Sequence, residues 1–216
     1  MTASARRAGR APGFSRVGLD PQEKTAGLPV GRGGNSGEVR LIGGLWKRSK
    51  LPVANAPGLR PTPDRVRETL FNWLGHDLSG WRCLDAFAGS GALGFEAASR
   101  GADQVVLLER DRRLVQALNE SKQRLGAVQL RVESADALVW MGRCPPDSFE
   151  LVFVDPPFDS ELIAPALALA RRLVVPQGFV YVESGRELEP PEAYRLHRRG
   201  RAGAVNFCLL QRAADE

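Results

Sequence analysis

The sequence predicts an α/β fold in which a mostly parallel sheet of seven strands is covered by helices on both faces. From Trp81 onward, short apolar runs alternate with longer stretches of helical periodicity, a pattern typical of parallel sheets. A glycine-rich turn joins the first of these runs to its helix. The chain then ends in two extended stretches around Gly200 and Gly203, which predict an antiparallel C-terminal hairpin.

The N-terminal part of the chain differs in composition from the rest. Residues 1–38 are rich in Gly, Ala, Arg, Ser and Pro and lack apolar periodicity, so we expect a disordered basic tail. Residues 39–216 are expected to form a single domain. Within it, residues 39–60 form an N-terminal extension, because the stretch from Val39 to Val53 has the pattern of two short strands around a turn.

The first helix is predicted just after this extension. Thr62 is expected to be its N-cap and Pro63 to occupy its first position, where a missing N–H costs little. Apolar residues recur at helical spacing up to Leu74, whereas Arg65 and Arg67 fall on the opposite, polar face. We therefore expect an amphipathic helix whose arginines face away from the core.

The remaining elements follow in alternation. The predicted strands lie at RCLDAF, QVVLLE, VQLRVE, ELVFVD and FVYVES, and the predicted helices at Ala92–Arg100, Arg112–Leu125 and about Glu161–Leu173. Parallel strands joined by such helices place their carboxyl ends at one edge of the sheet, where open α/β sheets bind ligands.

Composition limits the kinds of partner and site. The chain has 30 Lys and Arg against 25 Asp and Glu, and its net charge of +5 favours a polyanionic partner such as nucleic acid. The three cysteines lie far apart and only two histidines are present, so disulfides and metal sites are not expected, and a reducing cytoplasm fits. No apolar run approaches the roughly 20 residues of a membrane span.

The stretch LDAFAGSGALG contains the first candidate site. Gly89, Gly91 and Gly94 satisfy the pattern G-x-G-x-x-G between a strand and its helix, and Glu109 closes the next strand about 20 residues later. The glycines permit a tight turn, and an acid at the second strand end binds ribose hydroxyls. This constellation fits a dinucleotide as well as any other adenosine ligand.

Asp85 favours one of these ligands. A carboxylate at the mouth of the loop would repel a pyrophosphate but would hold a cationic amine, which S-adenosylmethionine carries. Asp136, just past the third strand, either accepts a hydrogen bond from the adenine amino group or caps the next helix, and the two roles are compatible. A nicotinamide oxidoreductase is disfavoured, because only about 60 residues follow the fourth strand, too few for a substrate domain.

The stretch FELVFVDPPF contains the second candidate site. Two consecutive prolines cannot donate to a sheet, so the strand must stop and leave Asp155 and Phe158 at its end. Asp155 and the carbonyl of Pro156 could accept the two hydrogens of an exocyclic nucleobase amine, while Phe158 stacks on the ring. The amine would then present its lone pair to a methyl donor. The other interpretation is a rigid turn whose aromatic ring lies in the core.

These motifs resemble a known family. Asp155–Phe158 is similar to the [Asn/Asp]-Pro-Pro-[aromatic] signature of class I amino-methyltransferases, and DAFAGSGALG is similar to their donor loop. The segments RLIGGLWKRSKLPV, GLRPTPDRVRETLFNWL, CLDAFAGSGALGFEAASRGA, FVDPPF, YVES and LHRRGRAGAV resemble, in this order, the RsmD family. Pro63 departs from the family, in which Thr or Ser is usual at that position.

The resemblance implies a Rossmann-like class I methyltransferase that methylates guanine N2 in bacterial 16S ribosomal RNA, with the partly assembled 30S particle as substrate. It implies that the guanine is held by Asp155, Pro156 and Phe158. The implied S-adenosylmethionine site consists of Asp85, Phe87, Ala88, Gly89, Ser90, Gly91, Glu109, Arg110, Ala135 and Asp136.

Six basic residues are candidates for RNA contacts, because phosphate contacts dominate affinity for nucleic acids: Lys47, Arg48, Lys50, Arg60, Arg65 and Arg67. Two other functions remain open. An adenine-N6 methyltransferase of DNA or RNA would use the same Asp-Pro-Pro-Phe motif, and a non-catalytic RNA-binding factor would keep the scaffold without binding the donor. The short alternating elements and modest size favour a monomer.

Overall fold

The computed structural model describes residues 37–53, 62–158 and 160–213. Most of the predicted N-terminal tail, and Arg60 among the predicted RNA contacts, lie outside these described residues. Within the described ranges, no helix combines the length and the apolar character that crossing a membrane requires.

A small hairpin precedes the main sheet. Strands β1 (Glu38–Arg40) and β2 (Lys50–Pro52) pair antiparallel with Val39 opposite Leu51, which confirms the two short strands predicted there. The side chains of Val39 and Leu51 are buried, so the hairpin covers part of the domain with its apolar face.

Seven strands form the main sheet, as predicted. They are β3 (Arg82–Asp85), β4 (Gln104–Glu109), β5 (Leu130–Ser134), β6 (Phe149–Val154), β7 (Val174–Ser184), β8 (Tyr194–Ala202) and β9 (Val205–Arg212). Their order is β5-β4-β3-β6-β7-β9-β8, and β9 alone runs opposite in direction to the other six strands. The C-terminal hairpin is confirmed, with its turn at Gly203 and with Gly200 inside β8.

The described residues contain five helices. They are α1 (Asp64–Leu74), α2 (Ala92–Ser99), α3 (Arg112–Leu125), α4 (Ala137–Arg143) and α5 (Ile163–Leu173). The predicted bounds of α2, α3 and α5 agree to within two residues. The predicted cap of α1 is wrong: Pro63 precedes the helix without a side-chain cap, and the hydroxyl of Thr62 donates instead to Asp155.

The sheet is buried on both faces, as β6 illustrates. Leu151 and Phe153 belong to the apolar cluster on one face, whereas Val152 and Val154 belong to the cluster on the other. A strand covered on both sides has no polar face, which explains why its sequence is a continuous apolar run. The apolar packing on both faces of β6 ends with the strand, and a cleft opens there.

Candidate active site

A cleft of about 630 Å³ lies beyond the carboxyl ends of β3 and β6. These strands are neighbours, with Asp85 opposite Phe153, and the chain order of the sheet reverses between them. Open α/β sheets form their ligand crevice at such a switch point. The walls include the glycine loop and residues 155–158, so the structure brings the two predicted motifs into one site.

One wall, here called the glycine-loop side, consists of residues 85–90, 92–93, 108–111, 114 and 135–138. Gly91 has a φ of 79°, in the left-handed region, and turns the chain into α2. At Gly94 a Cβ would come within 2.1 Å of Leu107 Cδ2 and 3.2 Å of Asp85 Oδ2, so α2 can approach β4 only without a side chain there. Of the ten residues predicted to bind the donor, nine line the cleft, and Gly91 instead shapes the turn.

Backbone amides hold two of the acids on this side. Glu109 accepts a hydrogen bond through Oε2 from the Gly89 amide at 3.0 Å and through Oε1 from the Arg110 amide at 2.8 Å. Asp136 accepts through Oδ1 from the Val139 amide at 3.0 Å, which confirms its interpretation as the N-cap of α4. These carboxylates are therefore held by main-chain groups, with further oxygen lone pairs that can face the cleft.

Asp85 lies deepest on the glycine-loop side. Its carboxylate is 1% exposed and accepts from the Gly94 amide at 3.0 Å. Burial raises the pKa of Asp85 to about 7, because the charged form loses its hydration. A cationic ligand group would favour the ionised form. This side therefore fits a ligand that combines a positive charge with sugar hydroxyls for Glu109.

The opposite wall, here called the Asp155 side, contains Thr62, Glu183 and residues 155–158. The register of β6 with β7 pairs Val154 with Val182, so Asp155 and Glu183, which follow them, lie side by side. Thr62 donates through Oγ1 to Asp155 Oδ2 at 3.4 Å. The two acids thus come from adjacent strand ends, and hydrogen bonding by Thr62 lowers the pKa of Glu183 as well as that of Asp155.

The aromatic ring of the Asp-Pro-Pro-Phe motif faces the cleft. Phe158 is 36% exposed and lines the wall, so the interpretation that places its ring in the core is wrong. Pro156 is buried, which fixes the backbone at the point where its carbonyl would accept a hydrogen bond. A planar group entering the cleft therefore meets an apolar ring beside backbone and carboxylate acceptors.

Three carboxylates crowd the floor between the two sides. Burial raises the pKa of Asp155 well above its usual value, and the charges of Glu183 and Asp85 raise it further, whereas the Thr62 hydrogen bond lowers it. Burial also raises the pKa of Glu183, which is 2% exposed and accepts from the Tyr181 hydroxyl at 2.9 Å. This crowding is not a metal site: within the described ranges, no group of three or more His, Cys, Asp or Glu could hold a metal ion.

Thr62 and Glu183 are the site residues that the sequence analysis missed. Glu183 offered a signal, because it stands at the end of its strand as Asp155 does, and parallel strands end at the same edge. Thr62 offered none, since its contact with Asp155 joins residues 93 positions apart.

The prediction that Arg67 contacts RNA is wrong, because its side chain is fully buried. The guanidinium donates to the carbonyl oxygens of Arg40 at 2.8 Å and Thr62 at 3.3 Å, and lies 3.5 Å from a carboxylate oxygen of Glu96. It thereby ties the N-terminal hairpin and the start of α1 to α2. The hairpin covers the part of this helix face around Arg67, whereas Arg65 stays exposed.

The other described candidates for RNA contacts are exposed and stay predictions: Lys47, Arg48, Lys50 and Arg65. The hairpin turn that carries Lys47 and Arg48 is bonded to the far end of α2, where the Leu45 amide donates to the Ser99 carbonyl oxygen at 2.7 Å. The other end of α2 begins with Ala92 at the cleft. An eight-residue helix is about 12 Å long, so the turn lies roughly that far from the cleft.

Comparisons with known proteins show which family contains this arrangement. The family model described as Conserved hypothetical protein 95 matches residues 39–211. Ribosomal RNA small subunit methyltransferase D of Escherichia coli (strain K12) is 44% identical over 187 residues, which cover 83% of this chain and 93% of the relative. The protein of the same name from Haemophilus influenzae is 42% identical over 183 residues, 81% of this chain and 94% of the relative.

A solved structure described as "Putative methyltransferase yhhF from Escherichia coli" is 44% identical, covers 83% of this chain and 100% of its own, and superposes with a TM-score of 0.74. The region matched by the family model contains both sides of the cleft. The chain therefore belongs to the RsmD family and has its Rossmann-like methyltransferase fold.

Proposed function

We propose that this protein transfers a methyl group from S-adenosylmethionine to the exocyclic N2 amine of a guanine in small-subunit ribosomal RNA. The observation that carries the proposal is the single cleft that joins the glycine loop to residues 155–158. The RNA class is supported by the relatives named ribosomal RNA small subunit methyltransferase D. A net charge of +5 suits a polyanionic substrate.

The glycine-loop side would hold the donor. When bound, S-adenosylmethionine supplies an electrophilic methyl group. Asp85 would pair with the ammonium group of its methionine part, and Glu109 would accept hydrogen bonds from its ribose. Asp136, fixed as the cap of α4, keeps a carboxylate oxygen for the adenine amino group. These groups are held by main-chain amides before any ligand enters, so little reorganisation is needed on binding.

The Asp155 side would hold the base. An exocyclic amine is a weak nucleophile because its lone pair is delocalised into the ring. Asp155 and the carbonyl oxygen of Pro156 would accept its two hydrogens and so orient the nitrogen. Phe158 would stack on the heterocycle, an interaction worth roughly 1–3 kcal/mol. The base must leave any helical stack to reach this position.

The carboxylate of Asp155 is the acceptor for the proton that the amine loses. Its raised pKa makes the ionised form a stronger base than an exposed aspartate, and the N–H that a bound base donates to Asp155 would favour that ionised form. Glu183 contributes by its charge, because it opposes the ionisation of Asp155 until that donor arrives. Asp155 would therefore be ionised when the amine is bound, and so able to accept its proton.

Methylation of the natural particle tests the proposal. We expect that the protein, given tritiated donor and 30S particles from a strain lacking the endogenous enzyme, labels 16S ribosomal RNA, and that digestion yields N2-methylguanosine by mass spectrometry. Particles from a strain that has the enzyme serve as the control, because their site is already methylated. Labelled N6-methyladenosine would establish the adenine alternative, and absence of both label and donor binding would leave a non-catalytic RNA-binding factor.

A further inference from the structure

The topology of the sheet places the C-terminal hairpin at the rim of the cleft. β9 runs antiparallel to β7, and the pairing of Ser184 with Asn206 sets the start of β9 beside the end of β7. Val205, the first residue of β9, lines the cleft and pairs with Ala202. The turn at Gly203 and the last residues of β8 therefore lie at the same edge of the sheet as the cleft.

β8 is the edge strand of the sheet and is strongly basic. It pairs only with β9 in the described sheet. Its nine residues, YRLHRRGRA, include four arginines and no acid, and all four arginines are exposed: Arg195, Arg198, Arg199 and Arg201. A long exposed edge with this composition resists pairing with another strand and attracts polyanions instead.

The four arginines differ in their partners. Arg199 is paired with Glu187, so part of its charge is neutralised within the protein. Arg198 donates to the carbonyl oxygen of His197 at 2.9 Å, and Arg201 to that of Gly203 at 3.1 Å. A guanidinium has five N–H donors in a planar fork suited to phosphate, and a main-chain oxygen leaves its charge intact.

We propose that the edge strand β8 binds the phosphates of the RNA segment that flanks the target nucleotide, chiefly through Arg198 and Arg201. The inference rests on the proposed function, because a base that enters the cleft brings its neighbouring phosphates to the rim. Arg201 adjoins the turn at the rim, whereas Arg198 lies three residues, about 10 Å, farther along β8. The hairpin turn with Lys47 and Arg48 is about one length of α2 away from the cleft, so we expect it to contribute less than the Arg201 end of β8.

Two matched variants of the full chain test the position of the surface. R198Q/R201Q removes two charges from β8, and K47Q/R48Q removes two charges from the N-terminal hairpin. We expect the β8 variant to bind 16S ribosomal RNA fragments and 30S particles roughly tenfold more weakly than the parent protein, with a salt-dependence slope smaller by about two. The hairpin variant should stay within a factor of about two. Binding is measured by filter retention without donor, so it is independent of methylation.

Several outcomes would overturn the assignment. These are equal weakening by the two variants, an unchanged salt slope for R198Q/R201Q, or no binding of RNA by the parent protein. Weakened binding of particles with unchanged binding of naked RNA would identify a ribosomal protein as the partner and overturn it too. R198K/R201K keeps both charges and should restore the slope. For R198Q/R201Q, we expect KM for particles to rise, while kcat and the affinity for the donor stay unchanged. If the parent protein binds RNA but does not methylate it, that result would count against the proposed function alone.

Discussion

The carboxylates on the two sides of the cleft differ in their hydrogen-bond partners and in their neighbours. On the glycine-loop side, Asp85, Glu109 and Asp136 each accept at least one hydrogen bond from a backbone amide. On the Asp155 side, Asp155 and Glu183 lie next to each other, and the hydroxyl of Thr62 donates to Asp155. The acids of the first side are held by amides even without a ligand, whereas on the second side the charge of Glu183 opposes the ionisation of Asp155.

The difference shows how one sheet edge can serve two kinds of ligand. Fixed amide–carboxylate bonds set the shape of a wall, and preorganised groups bind without further cost. Crowded acids are unfavourable in the folded protein, and N–H donors from a substrate would relieve them. The Asp155 side therefore carries a stability cost, which is consistent with its proposed role in holding the reacting amine.

Substitution of Asp155 should have the largest effect, because it should abolish most of the activity without lowering the stability. Asp155→Ala removes the carboxylate that would accept an amine hydrogen and the proton, so we expect methylation to fall by roughly a thousandfold. Donor affinity should persist, and the melting temperature should be equal or higher, because one crowded charge is gone. Radiolabel transfer, calorimetry and thermal unfolding measure these quantities. Near-normal turnover, or loss of donor binding, would contradict the assignment of Asp155 to the base.

The raised pKa of Asp85 predicts how the free energy of unfolding depends on pH. Its pKa is about 7 in the folded protein, against an ordinary value of 3.8. Between these values the folded state binds a proton that the unfolded state has released, so the free energy of unfolding falls as pH rises from about 4 to 7, by up to about 4 kcal/mol. Asp85→Asn should reduce the slope of this dependence in denaturant unfolding of the donor-free protein, and Asp155 and Glu183, whose pKa values burial also raises, contribute the remainder. Glu120→Gln, at an exposed position of α3, is the control and should leave the pH dependence unchanged. If the pH curve of Asp85→Asn ran parallel to that of the parent protein, burial of Asp85 would not be the cause of the pH dependence.

Gly94 and Gly142 form a matched pair that probes the rigidity of the glycine-loop side. A Cβ at Gly94 would press on Leu107, whereas one at Gly142, in α4, meets nothing within 4 Å. We expect Gly94→Ala to lower the free energy of unfolding by about 1–3 kcal/mol and to weaken donor binding. Gly142→Ala should be neutral or stabilise by up to about 1 kcal/mol. Equal effects in thermal unfolding would show that α2 is not packed closely on β4.

The smallest expected effect concerns the influence of Glu183 on Asp155. Methylation should increase with pH as Asp155 ionises, because only the ionised carboxylate accepts both a hydrogen bond and a proton. Glu183→Gln removes a charge that raises the pKa of Asp155, so the increase in kcat/KM should move to lower pH, by roughly one unit. A profile that does not move, or that moves to higher pH, would show that the two acids are not coupled.

Much of the site could be predicted because its signals are local. A strand that meets two prolines must end, so Asp155 and Phe158 were placed correctly at an opening of the sheet. The spacing of Gly89, Gly91 and Gly94 required a turn into a helix. The prediction that Arg67 contacts RNA failed for a physical reason. The N-terminal hairpin covers this part of the helix, so the burial of Arg67 depends on a contact outside the helix.

The sequence by itself determined the alternation of elements, the two motif loops and the edge of the sheet at which they meet. Periodicity and turn chemistry act within a few residues, so they can be read along the chain. Only the tertiary structure decided that Asp155 adjoins Glu183, that Thr62 donates to Asp155, and that the β8–β9 turn rather than the N-terminal turn lies at the cleft. Those neighbours depend on strand order and register, which are set by the packing of the whole core and not by any single segment.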